Sequence, residues 1–278
     1  MEPVRLAPLD ASRLDEALAL SRAVGWPHRR EDWALNLSLG KGLAALRGDE
    51  IVGSALATFY GGAHATVNMV IVDERLRGTG LGGRLTRAAL ELAEGRETRL
   101  VATKAGLPLY EKLGFATIGP ISQHQAFVTR AAPPRDAEWT DARDLPAISD
   151  IDRAATGMDR SALIARLAES GRLAVTRRAG AVTGYGAIRD FGRGAVVGPV
   201  AADGADAARA LIELLLSSRP GAFLRLDTPQ AQGLSPWLEA LGLPQVGGGL
   251  AMRRPAPGAP LARADSFKTY ALASQALG

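Results

Sequence analysis

The sequence predicts an α/β protein built as two tandem copies of one fold, each a mixed, mostly antiparallel sheet flanked by helices. Three observations carry this reading. Between residues 67 and 92 an apolar, β-branched strand runs into a glycine-rich turn and then into a helix with an apolar stripe. Around that segment, strand and helix patterns follow one another as far as residue 130. A similar order then begins again after residue 136, with residues matched at a nearly constant spacing.

In chain order, Val4 to Leu9 suits a first strand. Ser12 is expected to cap a helix over Leu14, Leu18 and Leu20, and a second helix runs from Glu31 to Leu39. Leu43–Leu46 and Ile51–Phe59 flank Gly48-Asp49-Glu50, a hairpin pattern. The strand Val67–Val72 stops at Asp73. Glycines follow at 78, 80, 82 and 83, and Leu81, Leu85, Ala88, Ala89 and Leu92 mark the next helix. Thr98–Thr103 reads as another strand, and a short helix and a strand follow from Gly106.

A glycine turn between strand and helix leaves backbone N–H groups unpaired at the positive end of the helix dipole. The missing Cβ atoms let a phosphate approach them. A Walker loop would end in Gly-Lys-Ser/Thr, but the chain has Gly82-Gly83-Arg84. Gly78, Gly80 and Gly83 fit a dinucleotide fingerprint literally. However, Glu74–Arg77 separates them from the strand, and the next strand ends without a carboxylate. Arg77-Gly78-Thr79-Gly80-Leu81-Gly82 meets every defined position of a third pattern, R/Q-x-x-G-x-G/A. That pattern is the acetyl-CoA signature of the GNAT N-acetyltransferase superfamily, which this segment closely resembles. Leu109-Tyr110-Glu111-Lys112-Leu113-Gly114-Phe115 resembles the late helix and strand of the same superfamily.

The resemblance implies acetyl-CoA as co-substrate and no metal. Its pyrophosphate would lie over Arg77, Gly78, Thr79, Gly80, Leu81, Gly82, Gly83 and Arg84. The main chain of Met69, Val70, Ile71 and Val72 would serve the thioester carbonyl and pantetheine amides. Tyr110 matches the tyrosine that protonates the leaving thiolate, although a half-buried packing role is the plain alternative. No general base declares itself. Positions 66 and 68, where some relatives carry histidines, hold Thr66 and Asn68, which can hold a water. His124, beside Gln123 and Gln125, and His64, on the motif strand, are the candidate bases ahead of His28, with a water relay ahead of all three. Trp26, His28, Arg29 and Trp33, in and after a Pro-broken loop, are candidates for acceptor binding with Thr66 and Asn68.

The second copy is matched by offset. Asp10-Ala11, Leu14, Arg22-Ala23, Ala34, Gly40 and Gly53 all recur 131 residues later, as Asp141-Ala142, Leu145, Arg153-Ala154, Ala165, Gly171 and Gly184. Arg99-Leu100 then meets Arg225-Leu226, and Glu111-x-Leu113-Gly114 meets Glu239-x-Leu241-Gly242. Opposite the glycine turn stands Ala201-Ala202-Asp203-Gly204-Ala205-Asp206, whose carboxylates would repel a pyrophosphate. The boundaries read as 1–130 for the cofactor-binding copy, 131–136 for a Pro-rich linker, 137–254 for a degenerate GNAT-like copy, and 255–278 for a loop and tail. The apolar tail, Ala264 to Ala273, is expected to pack back near the cleft between the copies.

Composition bounds the rest. Hydrophobic residues make up 47 % of the 278 and charged residues 22 %, with no cysteine, so disulfides and thiolate sites are excluded. No apolar run approaches the roughly 20 residues of a membrane span, and Met1-Glu2-Pro3 does not begin a signal peptide. A cytoplasmic location is therefore expected. The net charge is +4, but residues 1–130 hold 16 Lys and Arg against 14 Asp and Glu, so neither half is a basic nucleic-acid module. The expected activity is acetyl transfer from acetyl-CoA to a small-molecule amine by direct attack on the thioester. The alternatives are a non-catalytic CoA-responsive module, or an acyltransferase with a longer acyl chain or a protein amine. Nothing in the sequence sets the oligomeric state.

Overall fold

The structure, a computed structural model, describes residues 2–128, 136–256 and 266–278. The predicted linker falls outside these residues except for Asp136, as do residues 257–265 of the predicted terminal loop and tail. The first copy contains β1 (Val4–Leu9), α1 (Leu14–Ala23), α2 (Arg30–Ser38), β2 (Gly40–Arg47), β3 (Glu50–Tyr60) and β4 (His64–Val72), then α3 (Leu81–Leu92), β5 (Glu97–Ala102), α4 (Leu107–Lys112) and β6 (Ala116–Phe127). The second contains β7 (Ala137–Trp139), α5 (Leu145–Thr156), α6 (Ser161–Ser170), β8 (Gly171–Arg178), β9 (Ala181–Phe191) and β10 (Gly194–Ala202), then α7 (Ala205–Ser217), β11 (Phe223–Pro229), α8 (Ser235–Ala240) and β12 (Gln245–Arg254). β13 (Lys268–Ala271) follows in the tail.

The elements recur in the same order, as the offset matches imply. One detail differs at the first helix. Asp10, not Ser12, is the cap: its carboxylate accepts from Ser12 N at 2.8 Å and opens a 3-10 turn before α1. The matched Asp141 does the same for Arg143 N. Gly40 and Gly171 also recur for a physical reason. A Cβ would lie 1.9 Å from Ala57 O at the first and 2.4 Å from Ile188 O at the second. Both begin a strand where the neighbouring backbone leaves room only for hydrogen.

Helices cover both faces of the sheet. On one face of the first copy, Leu14, Ala17 and Trp33 pack against Leu56 and Ile71; on the other, Leu81, Leu85 and Ala89 of α3 pack against Val52, Ala55 and Val67. α5 and α6 cover one face of the second copy and α7 the other. Burial of each amphipathic stripe supplies most of the stability of these short helices.

The sheet does not divide where the sequence does. Its order is β1-β2-β3-β4-β5-β12-β6-β11-β10-β9-β8-β7, a continuous run with a pseudo-two-fold axis between β12 and β6. β5 pairs antiparallel with β12 of the second copy (Met252 opposite Leu100), and β11 pairs with β6 of the first (Leu226 opposite His124). Each copy thus completes its neighbour's sheet. The boundary near residue 130 separates sequence repeats, but the two copies share one ladder.

Two places in the ladder open, and they are equivalent by the pseudo-symmetry. β4 and β5 run parallel and pair only from His64–Thr66 to Glu97–Arg99, then splay. β10 and β11 pair only at Ala195–Val196 and Leu224–Arg225. In the second copy the tail fills the opening: β13 pairs antiparallel with Val200–Ala202, and Leu272 N donates to Asp227 O at 2.9 Å. In the first copy no described strand lies in the corresponding gap beside β4.

Candidate active site

The glycine turn is anchored by buried Leu76 and Leu81 and exposes Arg77 through Gly80 between them. Gly78 and Gly80 lie at φ +79° and +85°, a region that L side chains rarely adopt. Gly80 is the N-cap of α3. No side chain caps this end, and the first turn holds no acidic residue. Uncapped N–H groups at the positive end of a 12-residue helix are suited to a phosphate. The counterpart in the second copy is closed. Asp203 lies just before α7 and pairs with Arg178 at 3.0 Å, and Asp206 occupies the first turn.

Next to the turn, β4 carries a bulge. Ser54 is opposite Ile71 and Leu56 opposite Asn68, so Met69 and Val70 together face the single residue Ala55 of β3. Met69 has φ +49° and is held there by the Ser54 hydroxyl, which donates to Met69 O at 2.7 Å. A non-glycine residue in this region costs on the order of 1–3 kcal/mol. The bulge falls beside the splay, where Val67 to Val70 and Val101 wall a cleft of about 500 Å³.

The cleft is built by both copies and the tail. The first copy supplies the loop Gly25–His28, Asn68, Thr103 and Tyr110. Gln123 and Gln125 come from β6, Arg193 from the β9–β10 turn and Arg225 from β11; Gln275 and Ala276 come from the tail. The polar side chains on its floor are linked in series. Gln123 donates to Gln125 at 3.2 Å, Gln275 donates to Gln123 at 3.3 Å and to Asp227 at 2.8 Å, and Arg225 forks onto Asp227 at 2.8 and 3.1 Å. The tail is pinned in turn: the Tyr60 hydroxyl donates to Leu277 O at 2.6 Å, and Arg160, ion-paired with buried Asp152, donates to Gly278 O at 2.5 Å.

Of the expected site residues, Trp26, His28, Asn68, Met69, Val70 and Tyr110 meet in this cleft, and the glycine turn adjoins it at the end of β4. Ile71 is buried on the α1 side. Tyr110 packs its ring edge against Phe115, and burial pushes its phenol up to about 12. Asn68 donates to Thr58 and Thr66 hydroxyls at 2.9 and 3.2 Å, while its own carbonyl oxygen is buried without a partner among the described residues. A buried acceptor without a partner is a place for an ordered water.

Five other expectations require correction. His124 is wholly buried, with Nδ1 against Leu243 O at 2.8 Å and Nε2 against the Ser235 hydroxyl at 3.0 Å, so neither nitrogen is free to act as a base. Strand alternation turns its neighbours Gln123 and Gln125 to the cleft and His124 away from it. His64 sits at the start of β4 opposite Glu97, outside the cleft lining. Trp33 is fully buried in the α1 core. Arg29 pairs with Asp32 at 3.2 Å and donates to Asp190 O at 2.7 Å, joining the two copies. Thr66 also lies below the cleft surface, as a partner of Asn68.

His28 is the histidine on the cleft wall. Its Nδ1 lies 2.8 Å from the Ser21 hydroxyl, and Nε2 has no partner among the described residues. Burial depresses its pKa from 6.5 to about 4, against an opposing effect of Asp32 and with help from Arg225 and Arg189. The imidazole is therefore neutral at physiological pH. The unfolded chain takes up this proton near pH 6.5 and the folded chain only near 4, so stability falls as pH drops through that window. The loss is on the order of 3 kcal/mol. In His28→Gln the fall in unfolding free energy between pH 6.5 and 4 should be correspondingly shallower in urea titrations; an unchanged slope would place the titration elsewhere.

Among the described residues no cluster of His, Cys, Asp and Glu could hold a metal ion, and no helix is long and apolar enough to cross a membrane. A model of the acetyltransferase (GNAT) family matches residues 12–115, and a model of an acetyltransferase (GNAT) domain matches residues 148–267. The uncharacterized N-acetyltransferase YitH of Bacillus subtilis (strain 168) is 31 % identical over 233 residues, 81 % of this chain and 82 % of that protein. The chain belongs to the GNAT acetyltransferase family, in its tandem-domain form. A putative acetyltransferase from Pyrococcus horikoshii superposes with a TM-score of 0.82 at 20 % identity, covering 100 % of this chain and 97 % of that one. A tandem GNAT protein from the clavulanic acid biosynthesis pathway superposes at 0.65 and 17 % identity, covering 94 % and 100 %. These structural likenesses concern the fold.

Proposed function

We propose that the chain transfers an acetyl group from acetyl-CoA to an amine, in one cleft formed by both copies. The observation that carries this reading is the glycine turn at α3, with Gly78 and Gly80 at positive φ and no acidic residue in the first helical turn, adjoining a splayed, bulged β4 whose gap no described strand fills. The turn's N–H groups would hold the pyrophosphate, and Arg77 and Arg84 stand beside it. The main chain freed by the bulge at Met69–Val70 would hold the pantetheine amides and polarise the thioester carbonyl.

Transfer requires a neutral amine, a path for its proton and a donor to the departing thiolate. Neutral His28 can take up a proton directly or through a water. Tyr110 stays protonated at working pH. With a phenol near 12 against a thiol of about 8.5, its role is to donate a hydrogen bond as charge forms on sulfur rather than to surrender its proton fully. Tyr110→Phe keeps the contact with Phe115. It is expected to lower kcat by about 10- to 100-fold with little change in acetyl-CoA affinity. An unaltered kcat on a confirmed amine would make Tyr110 a packing residue.

The reading is tested by incubating the protein with acetyl-CoA and a panel of amines, following free thiol and identifying the product by mass. Amine-dependent thiol release with a matching acetylated product is expected. Acetyl-CoA binding without transfer to any small amine or protein amine would favour the CoA-responsive module.

A further inference from the structure

Resting on that reading, we infer that the acceptor amine carries an anionic group, a carboxylate or phosphate, held by Arg193 and Arg225 of the second copy. Among the described residues no aspartate or glutamate lines the cleft, whereas two guanidinium groups do. Asp227, wholly buried behind Arg225, balances that one charge. Arg193 has no ion-pair partner among the described residues, so the cleft wall carries a net positive charge.

Both guanidinium groups are oriented by aromatic faces. Arg193 lies over the Phe223 ring at 4.5 Å from Cζ to centroid, and Arg225 lies near the Phe191 ring at 5.4 Å. Stacking and the fork to Asp227 restrict these long side chains before a ligand arrives, so less entropy is lost on binding. The three glutamines on the floor supply neutral donors and acceptors beside the cations.

The same charge arrangement suits the nucleophile. A positive wall disfavours an ammonium ion and favours the neutral amine that attacks. A polyamine would bring several further positive charges to a site that has no carboxylate among the described residues. An amine with its own anionic group instead offsets the cations while its nitrogen faces the thioester. The cleft then needs no strong general base, in keeping with the absence of one.

The test compares kcat/KM for matched amine pairs: amino acids against their carboxamides, and glucosamine 6-phosphate against glucosamine, with spermidine as the cationic probe. The anionic member of at least one series should be preferred about 10- to 100-fold, and the series that responds distinguishes carboxylate from phosphate. In Arg193→Gln, checked for native circular dichroism, the ratio should collapse toward one; Arg193→Lys should restore most of it. Equal rates within both pairs, a preference for spermidine, or a ratio unmoved in Arg193→Gln would overturn the inference while leaving acetyl transfer standing. No transfer to any amine would overturn both.

Discussion

Gly82→Val is expected to leave the protein folded and to weaken acetyl-CoA binding by about 100-fold or more, the cost of losing one or two charge-assisted hydrogen bonds to phosphate. A Cβ at position 82 would sit 3.7 Å from Val72 and 4.0 Å from Leu109, ordinary contact distances, and the residue lies in the first turn of α3. Valine is a better helix former than glycine there, so the change in stability should stay within about 1 kcal/mol. The side chain would then stand where phosphate oxygens must meet the turn. Gly80 is a less clean position, because at φ +85° any L side chain strains the turn whether or not phosphate binds. Isothermal calorimetry with a melting curve separates the two effects. Unchanged affinity would mean that the turn is not the phosphate site.

The second large effect concerns the fragment 1–130. Although it spans a whole sequence repeat, it should not yield a monomer that binds acetyl-CoA. β6 has its ladder partners, β11 and β12, in the second copy, and β5 has β12 on the edge beyond the splay. Without them β6 is a 12-residue strand with neither edge paired, a template for association with other chains. The pseudo-two-fold arrangement gives such fragments one closed solution, a dimer that exchanges β6. Size-exclusion chromatography should therefore show dimer or aggregate. A stable monomer with the affinity of the full chain would show that the exchanged strands are dispensable.

These two expectations also mark what the sequence reveals. The glycine turn was legible because its chemistry is local: φ > 0 at positions 78 and 80 and the lack of Cβ atoms are properties of the residues themselves. The repeat was legible because the same steric demands recur, as at Gly40 and Gly171. Strand exchange was not, since the pattern of β6 says that it pairs but not with what. The cleft was half legible. Trp26, Asn68 and Tyr110 follow from the motifs. Arg193 and Arg225 reach the cleft only through the exchanged sheet, and Gln275 through a tail of which only the apolar character could be read.

His124 shows how a small ambiguity decides a role. In Gln123-His124-Gln125 either the histidine or both glutamines face the cleft, and the period-two pattern is satisfied either way. The structure puts Leu226 opposite His124 and seats its ring between Leu243 O and Ser235. The tail is a similar case. It was expected near the cleft between the copies, and it lines that cleft with Gln275 while β13 takes the strand edge that acetyl-CoA would use in an intact second copy.

On the proposed reading, acetyl-CoA binds in one cleft made jointly by the two copies. The stoichiometry of acetyl-CoA on the full-length chain, measured by isothermal calorimetry against an active-protein concentration, tests it most directly. One molecule per chain is expected, because the second opening is filled by β13 and its helix end carries Asp203 and Asp206. Two molecules per chain, or none, would overturn the single shared site.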